Sequence, residues 1–280
     1  CEDMTPQDLA ASCRVMAKQY KAKIDIIEGK ALLKKGFPTI HAVGRASVNE
    51  PCLIDLTWGD HDGPTITLVG KGVCFDTGGL DIKTTAGMRY MKKDMGGAAC
   101  AIALARMIMQ RNLQVNLRLL IPAVENSVSG DAIRPGDVVK TRSGLTVEIT
   151  NTDAEGRLVM CDALTYAGER HSDYLFDFAT LTGAARVALG PRVAAMYCNN
   201  DDMADKLQHL GMQWEAHAWR MPLFDEYNLM LKSAVANMVN SANTAFAGSI
   251  TAALYLQRFV PEKTKWAHYD VYGWNPKNQP

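Results

Sequence analysis

Asp153 and Glu155 stand two residues apart in the run Asn151-Thr152-Asp153-Ala154-Glu155-Gly156-Arg157. In an extended backbone residues two apart point to one face. Two carboxylates on one face repel each other unless a cation lies between them. Divalent metals are the common solution, and oxygen ligands suit Mg, Mn or Zn. Two other runs hold similar chemistry. Val69 to Lys83 (VGKGVCFDTGGLDIK) carries Lys71, Asp76 and Lys83, and Lys93-Asp94-Met95-Gly96-Gly97 puts Asp94 at a helix start. Lys71 directly follows an apolar run, Ile66 to Gly70. A partly buried ammonium there is costly. Neighbouring cations would lower its pKa and free a lone pair for a metal.

Each run alone also has a plain reading. Residues 151–157 fit a surface turn. They also imitate a calcium loop weakly, but an EF-hand needs a helix upstream, Leu145–Thr150 alternates like a strand, and Asp162 stands where the last ligand should be Glu. Gly70-Lys71-Gly72 hints at phosphate but lacks the G-x-x-x-x-G-K-[ST] pattern. Asp76-Thr77-Gly78-Gly79 fits a turn, and Asp94 fits a helix N-cap. Lys83 and Arg157 fit surface cations, and Met91 fits core packing.

These residues need elements to position them. Thr5-Pro6-Gln7-Asp8 opens a helix expected to reach about Ala22. Strands are expected at 24–27, 52–58, 66–70, 112–124, 174–180, 193–197 and 266–272. A hairpin is expected around Ser143-Gly144 within 138–150. Helices are expected at 29–36 (stopped by Gly36 and Pro38), 96–111, from Arg157 to about Arg170, and at 201–218, 223–238 and 247–259. Lys71 to Gly79 reads as a glycine-rich loop. Alternating strands and helices predict an α/β fold: a three-layer α/β/α sandwich around a central mixed, mostly parallel sheet. In such sheets sites collect at the carboxyl ends of strands. All three functional runs occupy such places.

The chain has 280 residues, with 30 Lys+Arg against 30 Asp+Glu, so no net charge draws it to nucleic acid or an anionic membrane. An apolar share of 48% is enough for a large core. Seven cysteines are scattered singly without C-x-x-C, which argues against a disulfide framework and a thiolate zinc site and for a reducing, cytoplasmic setting. The first residues carry no signal-peptide pattern, and no apolar run approaches the ~18 residues of a membrane span. Residues 1–40 read as a connector helix and strand leading into a catalytic domain at 41–280.

Together the motifs resemble the leucine aminopeptidase, or cytosol aminopeptidase, family. Asn151–Leu158 (NTDAEGRL) is similar to its signature. So are VGKGVCFDTGGLDIK (69–83), KDMGGAA (93–99), ATLTGA (179–184), WRMP (219–222) and AGSITAA (247–253). The resemblance covers nearly the whole chain. It implies a zinc-exopeptidase-like fold and an enzyme that hydrolyses the N-terminal peptide bond of peptides with a water or hydroxide bridged by two metals. Implied metal ligands are Lys71, Asp76, Asp94, Asp153 and Glu155, with Asp76 and Glu155 bridging. Implied catalytic residues are Lys83, on the oxyanion, and Arg157, holding a bicarbonate that shuttles the proton. Met91, Thr180, Leu181 and Gly183 resemble the family's side-chain pocket. The resemblance further implies zinc or manganese, with magnesium or cobalt as substitutes, and a cytoplasmic homo-hexamer. It also implies an N-terminal domain and a C-terminal helix after Trp274-Asn275-Pro276, both expected to be missing from this chain.

Two other functions are set beside this reading. One is a non-enzymatic assembly or DNA-binding role on the same fold, disfavoured by the neutral charge and by the complete set of proposed ligands. The other is phosphate-ester hydrolysis, since metal pairs also serve phosphatases.

Overall fold

The computed structural model describes residues 1–275. In chain order the elements are α1 (Pro6–Tyr20), β1 (Lys23–Glu28), α2 (Ala31–Lys34), α3 (Pro38–Gly44), β2 (Cys52–Trp58), β3 (Thr65–Gly70), β4 (Gly72–Asp76), α4 (Thr85–Met88), α5 (Gly96–Gln110), β5 (Asn116–Asn126), β6 (Val138–Lys140), β7 (Thr146–Glu148), α6 (Glu155–Gly168), β8 (Tyr174–Ala179), α7 (Gly183–Leu189), β9 (Ala194–Cys198), α8 (Asp201–Gln213), β10 (Ala218–Arg220), β11 (Met238–Val239), α9 (Gly248–Gln257) and β12 (Lys265–Asp270). The expectation that the family's C-terminal helix is missing after Pro276 concerns residues outside those described.

Nine strands form one sheet in the order β1-β2-β5-β3-β8-β12-β9-β10, with β4 also pairing β5. The β5-β3, β3-β8, β8-β12, β9-β10 and β4-β5 pairs are parallel, while β1-β2, β2-β5 and β12-β9 are antiparallel. The sheet is therefore mixed and mostly parallel, as the alternation of elements predicts. Its central strands are buried on both faces. One face packs Leu158, Leu164 and Leu254 of α6 and α9 in a cluster with Phe37, Ile40 and Trp266. The other packs Leu9 and Cys13 of α1 and Ala98, Ala101 and Ala105 of α5 against Leu68, Leu119 and Ile121. A three-stranded sheet, β11-β7-β6, sits apart.

Four expectations need correction. Gly72–Asp76 is a strand rather than loop. β5 has eleven residues, of which β3 pairs with Asn116–Leu120, so the far end of β5 is free to pair with β4. Lys71 thus sits at the switch from one partner stretch to the next. Pro38 does not stop a helix: it opens α3 at the first helical position, where its missing N–H is not needed. The helix expected at 223–238 reduces to a 3-10 turn, Asp225–Leu231, followed by β11. Ser233 Oγ accepts from the backbone N–H of Val235 and Ala236, and Asn237 Oδ1 accepts from Thr146 N–H. Such side chains offer the backbone an alternative to the helix. The helix expected at 201–218 stops at Gln213, and Ala218–Arg220 instead extends the sheet beside β9.

Among the described residues no helix is long and apolar enough to cross a membrane.

Candidate metal centre

The carboxyl ends of β3, β4, β5, β8 and β12 lie on one side of the sheet, and the three functional runs meet there. Lys71 follows β3, Asp76 ends β4, Asp94 lies in the 3-10 turn Met91–Met95, and Glu155 opens α6. Asp153 and Glu155 are not on extended backbone: a turn precedes the helix, and Ala154 is the N-cap. Their carboxylates still converge. Oxygens of Asp76, Asp153 and Glu155 lie within 4.8 Å of one another.

Local sequence explains the convergence. Gly79 has φ +67, and a Cβ there would sit 3.0 Å from Asn126 Oδ1 and Thr152 Oγ1. Glycine therefore lets the 76–83 loop close onto the 151–154 turn. Thr152 fastens it: its Oγ1 donates to Gly78 O at 2.6 Å and its N–H to Asp81 Oδ2 at 2.7 Å. A Cβ on Gly156 would meet Lys71 Cε and Nζ at 2.8 Å, so this glycine makes room for the ammonium.

Two lysines serve four carboxylates. Lys71 Nζ lies 2.7 Å from Asp94 Oδ2 and 2.8 Å from Glu155 Oε1, and donates to Thr180 O at 3.1 Å. Lys83 Nζ lies 2.8 Å from Asp76 Oδ2 and pairs with Asp153. Asp76 Oδ1 accepts from Gly78 N–H and Asn126 Nδ2, both at 2.8 Å. Thr180 Oγ1 donates to Asp94 Oδ1 at 2.8 Å. Glu155 Oε2 is buried and has no hydrogen-bond donor.

The electrostatics follow from burial and crowding. Burial pushes the Glu155 carboxyl well above the usual range, and Asp76 pushes it further against the pull of Lys71. Asp153 is raised for the same reasons, burial first and Asp76 second, with Lys83 opposing. Burial would favour a neutral Lys71, but Asp94, Glu155 and Asp76 outweigh it and hold the ammonium above its ordinary range. The expectation of a lowered Lys71 concerns a metal-filled site; without metal its ion partners are Asp94 and Glu155, which favour the ammonium. Lys83 is likewise raised, Asp76 and Asp153 overcoming its burial.

This donor set fits divalent cations. It is rich in oxygen with one amine, it carries more carboxylates than ammonium groups, and a buried carboxylate oxygen lacks any donor. Hard, oxygen-seeking ions suit such a set.

A cavity of about 620 Å³ opens onto these groups. Of the expected substrate-pocket residues, Met91, Thr180, Leu181 and Gly183 all line it, and so do Lys71, Asp76, Lys83, Asp94, Asp153 and Glu155. Arg157 does not. It is buried on the first turn of α6, where its Nη1 donates to Asn240 O at 2.6 Å. Burial pulls its guanidinium below the usual range, with Tyr255, Asp270 and Glu155 partly opposing.

Sequence reasoning missed three supporting residues. Asn126 ends β5 and bridges Asp76 to the Thr152 carbonyl, donating at 2.8 and 3.1 Å. Thr152 stands inside the NTDAEGRL run without a role of its own in the sequence pattern, yet it fastens the 76–83 loop. Asp270, at the end of β12, accepts from the N–H groups of Leu181 and Thr182 at 3.1 Å, from Thr182 Oγ1 at 2.6 Å and from Ser249 Oγ at 3.1 Å. The signal available for Asn126 and Asp270 was their position as polar residues ending apolar strands.

The family model described as "Cytosol aminopeptidase family, catalytic domain" matches residues 1–280. A probable cytosol aminopeptidase of Xanthobacter autotrophicus is 43% identical over 273 residues, covering 96% of this chain and 54% of the relative. Among solved structures, a cytosol aminopeptidase from Coxiella burnetii superposes with a TM-score of 0.97 at 55% identity, covering 100% of this chain and 61% of that one. The bottromycin maturation enzyme BotP, in complex with Mn, gives a TM-score of 0.93 at 38% identity, covering 97% of this chain and 60% of that one. The chain thus spans about half the length of the curated relatives it matches.

Proposed function

The chain belongs to the cytosol aminopeptidase family, and we propose that it is a metal-dependent aminopeptidase hydrolysing the N-terminal peptide bond of peptides. One observation carries the reading: four converging carboxylates share two ammonium groups beside a cavity, and one buried carboxylate oxygen has no donor. Lys71, Asp76, Asp94, Asp153 and Glu155 would hold two divalent cations, zinc or manganese, with magnesium or cobalt as substitutes. Such ions supply Lewis acidity and an acidified water at neutral pH.

The chain's own residues do the rest. The acidic wall attracts a substrate's free α-ammonium group, which restricts cleavage to the N-terminus. Lys83, at the cavity edge and only partly buried, is placed to donate to the oxyanion that develops at the scissile carbonyl. Met91, Thr180, Leu181 and Gly183 receive the N-terminal side chain. The loop of Thr180–Thr182 stays in place because Lys71 and Asp94 bind it on one side and Asp270 on the other. Arg157 as holder of a proton-shuttling bicarbonate is the part that demands most movement, since its side chain is turned to Asn240 rather than to the cavity. Residues 1–40 act as the connector into the catalytic portion at 41–280, with β1 docked on β2. The whole protein is proposed to be cytoplasmic, in keeping with the cytosol aminopeptidase names of its relatives, and, as the family resemblance implies, a homo-hexamer.

The test is hydrolysis of a leucyl chromogenic amide by protein loaded with zinc or manganese, beside the N-acetylated analogue. Cleavage of the free-amine substrate alone is expected. Absence of turnover by folded, metal-filled protein overturns the reading.

A further inference from the structure

Lys93 and Arg186 are cations on the cavity wall that the proposed reaction does not use. Both flank the ring of Tyr272, which lines the same cavity. Lys93 Nζ lies 5.2 Å from the ring centroid, and Arg186 Cζ lies 5.2 Å from the same centroid. Arg186 Nη1 also donates to the Tyr272 hydroxyl at 3.5 Å. Among the described residues neither cation forms an ion pair: the carboxylates of the acidic cluster are taken by Lys71 and Lys83. Lys93 is half-buried. An ammonium that has given up part of its water without gaining a carboxylate is held at a cost. Two cations sharing one aromatic ring repel each other, and the ring's negative face offsets this only in part.

Arg186 is exposed and open to a ligand, and an anion held by both cations would relieve both costs. Arg suits carboxylates because its planar fork donates to both oxygens at once, while Lys adds a point charge. Met91, Thr180 and Gly183 line the same cavity, so an anion held at Tyr272 shares the chamber with the N-terminal residue of a bound peptide.

We propose that the Lys93–Tyr272–Arg186 edge of the cavity is a carboxylate subsite that makes the enzyme prefer peptides bearing a carboxylate next to the scissile bond. The inference rests on the aminopeptidase reading for its substrate class. Three sources present that chemistry: an acidic N-terminal side chain, an acidic second side chain, and the terminal carboxylate of a dipeptide.

Three matched pairs separate them: Glu-Leu-amide against Gln-Leu-amide, Leu-Glu-amide against Leu-Gln-amide, and Leu-Leu free acid against Leu-Leu-amide. With metal-loaded protein at low salt, at least one acidic member should be favoured about tenfold or more in kcat/KM. A double variant, Lys93→Met with Arg186→Met, should bring that ratio close to one, and Lys93→Glu should invert it. The ratio cancels any general loss of activity. Calorimetric binding of glutarate gives a readout without turnover, and the double variant should bind it at least about tenfold more weakly. Ratios near one in all three pairs, or a preference and a glutarate affinity that survive in the double variant, overturn the subsite. If leucyl substrates turn over without an acidic preference, the peptidase reading stands and the subsite falls. If glutarate binding depends on Lys93 and Arg186 but no peptide is cleaved, the subsite stands and the peptidase reading falls.

Discussion

The molecule buries carboxylates in two ways. On the neighbouring strands β2 and β5 Asp55 receives a bidentate Arg118, Nε at 3.0 Å and Nη2 at 2.8 Å, while Arg118 Nη1 reaches Tyr166 O. Asp177, fully buried, takes Trp266 Nε1 and His268 Nδ1, each at 2.6 Å. At the cavity, Glu155 is as deeply buried yet shares Lys71 with Asp94 and leaves one oxygen without a donor. Burial is common to both regions. What separates them is matching: one anion to one dedicated set of donors in the first, several anions to too few donors in the second. A buried carboxylate therefore marks a structural pair when its donors are complete, and a ligand site when they are not.

Removing a partner from the matched region should have the largest effect. Arg118→Leu leaves Asp55 buried without a cation, and we expect a loss of about 3–5 kcal/mol in denaturant unfolding. Adding Asp55→Leu should recover most of that loss. A single-variant cost below about 1 kcal/mol would show that the pair is not matched in the sense argued.

Asp162 sharpens the contrast, because it is fully buried and receives only neutral donors, the N–H groups of Thr39 at 2.9 Å and Arg142 at 2.8 Å. Burial raises its pKa from 3.8 to about 6, and the backbone donors oppose this only in part. The folded state then holds the proton more tightly than the unfolded chain. Its contribution is fully present below the unfolded pKa and is lost as pH rises through the folded one, a drop of roughly 3 kcal/mol by pH 7. Asp162→Asn should remove that slope. The difference in unfolding free energy between wild type and variant, measured from pH 4.5 to 7, should fall with pH; a difference independent of pH would place Asp162 among the matched carboxylates.

In the unmatched region removing a charge should hurt function and spare the fold. Glu155→Gln is expected to lower kcat/KM on a leucyl amide by at least about 10²-fold, roughly 2.7 kcal/mol of barrier. Metal-free thermal stability should hold or rise, since a crowded anion is gone. A drop in metal-free Tm with near-normal turnover would reverse the comparison.

The sequence makes the unmatched region legible and hides the matched one. Lys71, Asp76, Asp94, Asp153 and Glu155 lie in short runs that each have a plain reading alone, and they become legible as one set through the resemblance of those runs to one family. The alternation of apolar runs likewise foretells a mixed, mostly parallel sheet. Asp55, Asp177 and Asp270 are single acids inside strands, and nothing local tells that Arg118, His268 or Ser249 will face them. Their partners lie 63, 91 and 21 residues away. β4 was hidden because it depends on spare length at the end of β5, a property of the sheet rather than of Gly72–Asp76. Nothing local tells that Lys93 and Arg186 meet at one ring, because Tyr272 comes to them from far along the chain.

Asp270 joins the two regions and gives the smallest but most discriminating effect. It is a buried acid with a full set of donors, yet two of those donors are the N–H groups of Leu181 and Thr182 on the cavity loop. Asp270→Asn keeps an oxygen for those N–H groups. Its amide then meets Thr182 Oγ1 and Ser249 Oγ, which can rotate and accept. The fold should survive, but the loop is held less firmly. Because that loop contributes to the proposed side-chain pocket and carries no metal ligand, KM should rise by about tenfold, near 1.4 kcal/mol, with kcat and metal affinity close to wild type. A fall in kcat at unchanged KM would mean that Asp270 acts on the acidic cluster itself, and the line between matched and unmatched carboxylates would then run through Asp270 instead of around it.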